Sequence, residues 1–113
     1  MTALVRPATT GDVRAIRALV DAYAGDGPRM LKKSMVTLYE DVQEFVVAVD
    51  NRSGRGEEVV GCGALHVLWE DLAEVRTVAV SATAQRSGIG SAVLLALIGR
   101  ARTIGVKRVF CLT

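Results

Sequence analysis

The sequence predicts an α/β domain of the α+β kind, a mixed and mostly antiparallel sheet flanked by helices. Three observations predict it. Segments of strand composition and of helical period follow one another in the order β-α-α-β-β-β-α-β. The three middle strands are joined by short polar stretches, the spacing of antiparallel neighbours, whereas the last strand–helix–strand step requires a parallel, right-handed crossover. Finally, 113 residues that are 50% apolar hold enough material for one core and too little for two. Residues 1–113 are therefore read as one domain.

The opening strand, Ala3 to Ala8, alternates in polarity and meets Thr9-Thr10-Gly11-Asp12, hydroxyls followed by an acid, which is a helix-start signal. Val13, Ile16, Val20 and Tyr23 then recur every three or four residues until Gly25-Asp26-Gly27-Pro28 breaks the pattern. Between Arg29 and Glu44, Leu31, Met35, Leu38 and Val42 keep helical intervals and predict a loop and a second helix. Phe45 to Val49 is a compact strand, Asp50 to Gly56 a polar turn, and Val59 to Trp69 a long strand completing a hairpin. Glu70 to Ala73 is expected to connect this strand to the next, Glu74 to Val80. From Ile89, the residues Val93, Leu97 and Ala101 share a helix face that ends near Gly105, and Lys107 to Leu112 has strand composition again.

Composition narrows the function. A formal charge of +2, with basic residues scattered along the chain, does not suit binding to nucleic acid or a membrane surface. Cys62 and Cys111 stand apart in apolar stretches, without CxxC spacing or a histidine at a ligand interval, so no metal is expected. The N-terminus lacks the pattern of a signal peptide, and no apolar run reaches bilayer length, so the expected location is cytoplasmic.

The most informative segment is Gln85-Arg86-Ser87-Gly88-Ile89-Gly90, a glycine-containing loop between a strand and a helix start. Such a junction gathers unpaired backbone N–H groups and the positive end of a helix dipole, and so binds phosphate. Gly88 and Gly90 let the chain approach a pyrophosphate closely, and Arg86 adds a charge-assisted contact. The nucleotide-binding patterns GxxxxGK[ST] and GxGxxG are both absent. Gln85-Arg86-x-Gly88-x-Gly90 after Val78-Ala79-Val80 instead resembles the Q/R-x-x-G-x-G/A signature of the GNAT superfamily of N-acetyltransferases, in that family's order of elements. The resemblance implies acetyl-CoA as cosubstrate, its pyrophosphate held by Gln85, Arg86, Ser87, Gly88, Ile89 and Gly90. It further implies that Val80 pairs with pantetheine and that the Val78 N–H points at the thioester carbonyl. A fixed donor aimed at a developing oxyanion stabilises the transition state more than the ground state.

Glu74 matches by position the strand glutamate that serves as general base in the histone-modifying branch of that superfamily. The plainer reading is an ion pair with Arg76, two residues along the same strand face. Arg76, an arginine set among valines, offers a two-donor fork suited to a carboxylate. Glu-Val-Arg-Thr-Val-Ala-Val at 74–80, Cys-Gly-Ala-Leu-His-Val-Leu at 62–68, Leu-Lys-Lys-Ser at 31–34 and Arg-Val-Phe-Cys-Leu-Thr at 108–113 resemble the acetyltransferase domain of the N-acetylglutamate synthases, especially the short, stand-alone actinobacterial kind. The implied reaction is acetyl transfer to the α-amino group of L-glutamate, the first step of arginine biosynthesis, with arginine as feedback inhibitor. A dicarboxylate needs cationic anchors, which Arg76, Lys32 and Lys33 would supply, although lone lysines are mostly solvated.

His66 is a second candidate base that reads more simply as structural, Cys62 reads as a small buried residue, and Trp69 is expected in the core or at a cleft mouth. Complete members of the family continue with a further helix and strands that supply the general acid, so the resemblance implies that the sequence stops after the fifth strand of a longer domain. An apolar final strand at a sheet edge also points to a homodimer. Two other readings share the fold: transfer to another small amine or a protein N-terminus, and a non-catalytic acetyl-CoA-binding regulatory module.

Overall fold

The computed structural model describes residues 3–24, 34–52, 54 and 56–112. Its elements are β1 (Leu4–Pro7), α1 (Val13–Ala24), α2 (Met35–Glu40), β2 (Phe45–Asp50), β3 (Glu58–Trp69), β4 (Leu72–Val80), α3 (Ile89–Thr103) and β5 (Val109–Cys111), with 3-10 turns at Thr10–Asp12, Val42–Glu44 and Ala82–Ala84. The strands form one five-stranded sheet in chain order, antiparallel throughout except for the parallel β4–β5 pair. This is the expected mixed architecture. The expected break at residues 25–28 lies outside the described residues, as do Lys32 and Lys33.

The core divides by sheet face. On one side Ile89, Val93, Leu97 and Ala101 of α3 pack on Val46, Ala48, Val60, Leu65, Ala73 and Val75. On the other, Val13, Ile16, Val20 and Leu38 of α1 and α2 pack on Phe45, Val47, Val49, Cys62, Ala64 and Ala79. Every residue of β2 is buried, which explains why its sequence runs apolar without alternation. Gly61 and Gly63 let α3 lie close to the sheet. A Cβ on Gly61 would stand 2.8 Å from Ile89 Cγ2, and one on Gly63 would stand 2.7 Å from Val93 Cγ1.

Two expectations need adjustment. Leu72 pairs with Trp69, and the buried Ala73 pairs with Val67, so the connection expected at residues 70–73 is a turn of Glu70 and Asp71 alone. Burial at Ala73 draws the strand back to the hairpin. Trp69 is neither in the core nor at the cleft, because that tight turn places it at the hairpin tip, where it is exposed.

An irregularity in β4 shapes the site. Cys62 pairs with Ala79 but Ala64 pairs with Arg76, so Thr77 and Val78 together oppose Gly63 in a β-bulge. Thr77 there has φ 59°, a left-handed conformation rare for a β-branched residue. The extra residue reverses the side-chain alternation: Ala73 and Val75 face α3 before the bulge, and Val78 and Val80 face it afterwards. Among the described residues, β4 pairs with β5 from Ala73 to Val75.

Among the described residues, no helix is long and apolar enough to cross a membrane.

Candidate active site

The loop from β4 to α3 is shaped by two left-handed residues, Arg86 at φ 67° and Gly88 at φ 83°. Gly88 is the residue on which α3 begins, and no side chain caps the helix there. Ser87 Oγ donates to the Ala84 carbonyl and closes the loop on itself. The first amide of the helix to be satisfied is that of Ala92, which donates to the Gly88 carbonyl at 3.0 Å. The amides of Gly88, Ile89, Gly90 and Ser91 have no acceptor among the described residues. Four free N–H groups at the positive end of a 15-residue helix are a site for an anion.

These amides open on a cleft of 490 Å³. Its walls include Val78 and Val80 of β4, Gln85, Arg86, Gly88, Ile89 and Gly90 of the loop, and Tyr23 and Ser91. One end is cationic and rich in donors, and the other runs along the apolar Val78 and Val80 of β4. The pairing fits a phosphorylated head group carrying a long, weakly polar arm, which is the chemistry of coenzyme A. Of the loop residues expected at the site, only Ser87 is absent from the walls, and it instead holds the loop's shape.

Glu74 and Arg76 lie on the α1/α2 side of the sheet, just before the bulge, and do not line this cleft. Glu74 is buried, and its Oε1 accepts from Arg76 Nε at 2.6 Å. The ion pair anticipated as the plain reading is thus present. It occupies only Nε, and the two terminal guanidinium nitrogens have no partner among the described residues. Val78 is one of the two residues the bulge removes from regular pairing, where β4 borders the cleft.

Three further residues are placed by the fold. His66 lies on β3 directly opposite Glu74, and its Nδ1 stands 3.1 and 3.0 Å from the two carboxylate oxygens of Glu44. Cys62 is buried, and burial pushes its thiol up to about 12, so it stays protonated and donates to the Thr77 carbonyl at 3.6 Å. Tyr23, read in the sequence as part of the apolar face of α1, stands half exposed at the cleft. Its signal was a phenol closing an apolar stripe in the last turn of a helix, where a side chain with an apolar body and a polar tip meets water. Glu44 gave no sequence signal, because its partner is 22 residues away.

This chain is similar to known proteins. The acetyltransferase (GNAT) family model matches residues 16–113. An amino-acid acetyltransferase of Mycobacterium tuberculosis is 53% identical over 110 residues, a match covering 97% of this chain and 61% of that protein. A crystal structure from M. tuberculosis in complex with CoA superposes with a TM-score of 0.87 at 54% identity, covering 97% of this chain and 64% of that one. N-acetylglutamate synthase from Neisseria gonorrhoeae, complexed with coenzyme A and N-acetyl-glutamate, superposes with a TM-score of 0.89 at 30% identity, over 100% of this chain and 26% of that one. This chain thus spans 61% of the length of its curated mycobacterial relative. The family model matches most of this chain, and the chain belongs to the acetyltransferase (GNAT) family.

Proposed function

We propose that the protein is an acetyl-CoA-dependent amino-acid N-acetyltransferase whose acceptor is the α-amino group of L-glutamate. The observation that carries this reading is the row of unpartnered amides from Gly88 to Ser91, opening on a cleft walled by Val78 and Val80 of β4. Acetyl-CoA supplies an activated acyl group. The chain's residues bind and aim it: Gly88 to Ser91 and Arg86 take the pyrophosphate, and the Val80 backbone pairs with the pantetheine amides. The Val78 N–H donates to the thioester oxygen, where negative charge grows during attack.

The acceptor side uses the opposite face of the same strand. The terminal nitrogens of Arg76 grip a carboxylate of the substrate, with Lys32 and Lys33 as further anchors. Glu74 takes the proton that the ammonium must lose before its nitrogen can attack. The mycobacterial amino-acid acetyltransferase and the gonococcal synthase support the choice of acceptor. In this reading the product is N-acetylglutamate, at the entry to arginine biosynthesis in the cytoplasm. The gonococcal synthase has also been crystallised with coenzyme A and L-arginine, which supports arginine as a feedback ligand here. A homodimer through the sheet edge belongs to the same reading.

Thiol release from acetyl-CoA tests this, with L-glutamate compared against neutral amino acids. Arg76→Ala is expected to raise KM for glutamate by about 10- to 100-fold, the worth of a charge-assisted hydrogen bond, while leaving KM for acetyl-CoA unchanged. Equal turnover of glutamate and neutral amino acids would remove the assigned acceptor. No thiol release with any amine would remove the enzyme.

A further inference from the structure

We propose that His66, held by Glu44, is the relay through which Glu74 passes the acceptor's proton to solvent. The inference rests on the reading of Glu74 as the base and adds the step that resets it. An ammonium acceptor loses two protons on becoming an amide. As the C–N bond forms and the C–S bond breaks, one proton ends on the departing thiolate, so one proton per turnover must leave the protein.

Glu74 is badly placed to release that proton itself. Its side chain is 11% exposed, and one of its oxygens is taken by Arg76 Nε at 2.6 Å. His66 is the direct cross-strand partner of Glu74, and such partners share a sheet face with Cβ atoms about 5 Å apart. Glu44 binds Nδ1 of His66 through both oxygens, at 3.1 and 3.0 Å, so in the neutral ring the proton sits on Nδ1 and the lone pair on Nε2. A carboxylate that fixes a histidine tautomer and stabilises its imidazolium is the device by which hydrolytic triads orient their base. The side chains of His66 and Glu44 are 34% and 29% exposed, so accessibility rises along the path from Glu74 outward.

These two residues line a hollow of 260 Å³ together with Gln43 and Arg100. Arg100 Nη2 donates to the Gln43 carbonyl at 3.0 Å and so pins the turn that carries Glu44. The charged groups around His66 are thus Glu44 before β2, Glu74 and Arg76 on β4, and Arg100 on α3. The relay runs in two transfers. Protonated Glu74 gives its proton to Nε2 of His66, and the imidazolium, neutralised by Glu44, gives a proton to water in the hollow.

The test is steady-state turnover with acetyl-CoA and glutamate across pH 6 to 9 for wild type, His66→Ala, Glu44→Gln and Glu74→Gln. The relay predicts that His66→Ala loses about 100-fold in kcat with both KM values held. Added imidazole should restore much of that loss in proportion to its concentration, which no purely structural role would allow. Glu44→Gln should lower kcat by about 10-fold with both KM values held, because the ring loses the carboxylate that fixes its tautomer and orientation. If His66→Ala fails to fold, the Glu44→Gln kcat decides. The relay is overturned by His66→Ala turnover within twofold of wild type, by a loss that imidazole does not repair, or by a Glu44→Gln kcat equal to that of wild type. Full activity in Glu74→Gln removes the base beneath the relay. A dead Glu74→Gln beside an unaffected His66→Ala removes the relay alone.

Discussion

At the scale of single residues, the clearest energetic commitment lies far from the cleft, where β1 turns into α1. Asp12 accepts from the Thr9 amide at 2.8 Å and from Arg6 Nη1 and Nη2 at 2.8 and 3.0 Å, and Arg6 also reaches Glu57 at 2.9 Å. The Arg6 bond, helped by the Thr9 amide and opposed by desolvation, holds the Asp12 carboxyl below its ordinary range. The sign follows from linkage: the stabilisation is complete above about pH 4 and is lost as pH falls through the lowered folded value. Asp12→Asn should therefore cost about 2 kcal/mol in urea unfolding at pH 7, and the gap from wild type should shrink steadily below pH 4. A gap that stays constant with pH contradicts the assignment. Thr9-Thr10-Gly11-Asp12 was legible as a helix start because capping is local. The partnership with Arg6 was not, because it depends on how β1 enters the sheet. The same distinction separates Cys62, read correctly as a small buried residue, from His66, whose partners Glu44 and Glu74 meet it only across the sheet.

At the scale of elements, the site depends on how closely α3 lies on β3. Gly61 meets Ile89 and Gly63 meets Val93 at distances no added Cβ could keep. Gly61→Ala and Gly63→Ala should each cost about 1–3 kcal/mol by overpacking. Because Ile89 belongs to the first turn of α3, Gly61→Ala should also weaken coenzyme A binding, whereas Gly63→Ala should act mainly on stability. Denaturant unfolding and calorimetry read the two effects. Unchanged stability in both variants would contradict the close packing. The order and type of the elements were legible, because strand composition and the period of α3 are strong local signals. The bulge at Thr77 was not: Glu-Val-Arg-Thr-Val-Ala-Val reads as one unbroken alternation, and only pairing opposite Gly63 shows where an extra residue enters.

At the scale of the molecule, one departure from a regular sheet puts the anion cleft and the Glu74–Arg76 pair on opposite faces of one strand. Val78 and Val80 of β4 line the cleft beside the start of α3. The bulge then turns Val78 and Val80 toward the α3 side, leaving Glu74 and Arg76 on the other. The mixed sheet was legible from the last strand–helix–strand step, and the glycine loop from its spacing. The change of face along β4 was not, since alternation reverses only at the bulge opposite Gly63. Lys32 and Lys33 lie outside the described residues, and Arg76 stands with Glu74 on the α1/α2 side of the sheet.

On the proposed reading, the backbone at the start of α3 grips the diphosphate of coenzyme A. Titration of coenzyme A into 15N-labelled protein, followed amide by amide, reads this contact. The largest shifts should fall on Gly88, Ile89, Gly90 and Ser91, with Val78 and Val80 following, and Arg86→Ala should weaken binding about 10-fold or more. Binding that leaves these amides unmoved, or no binding at all, would contradict it.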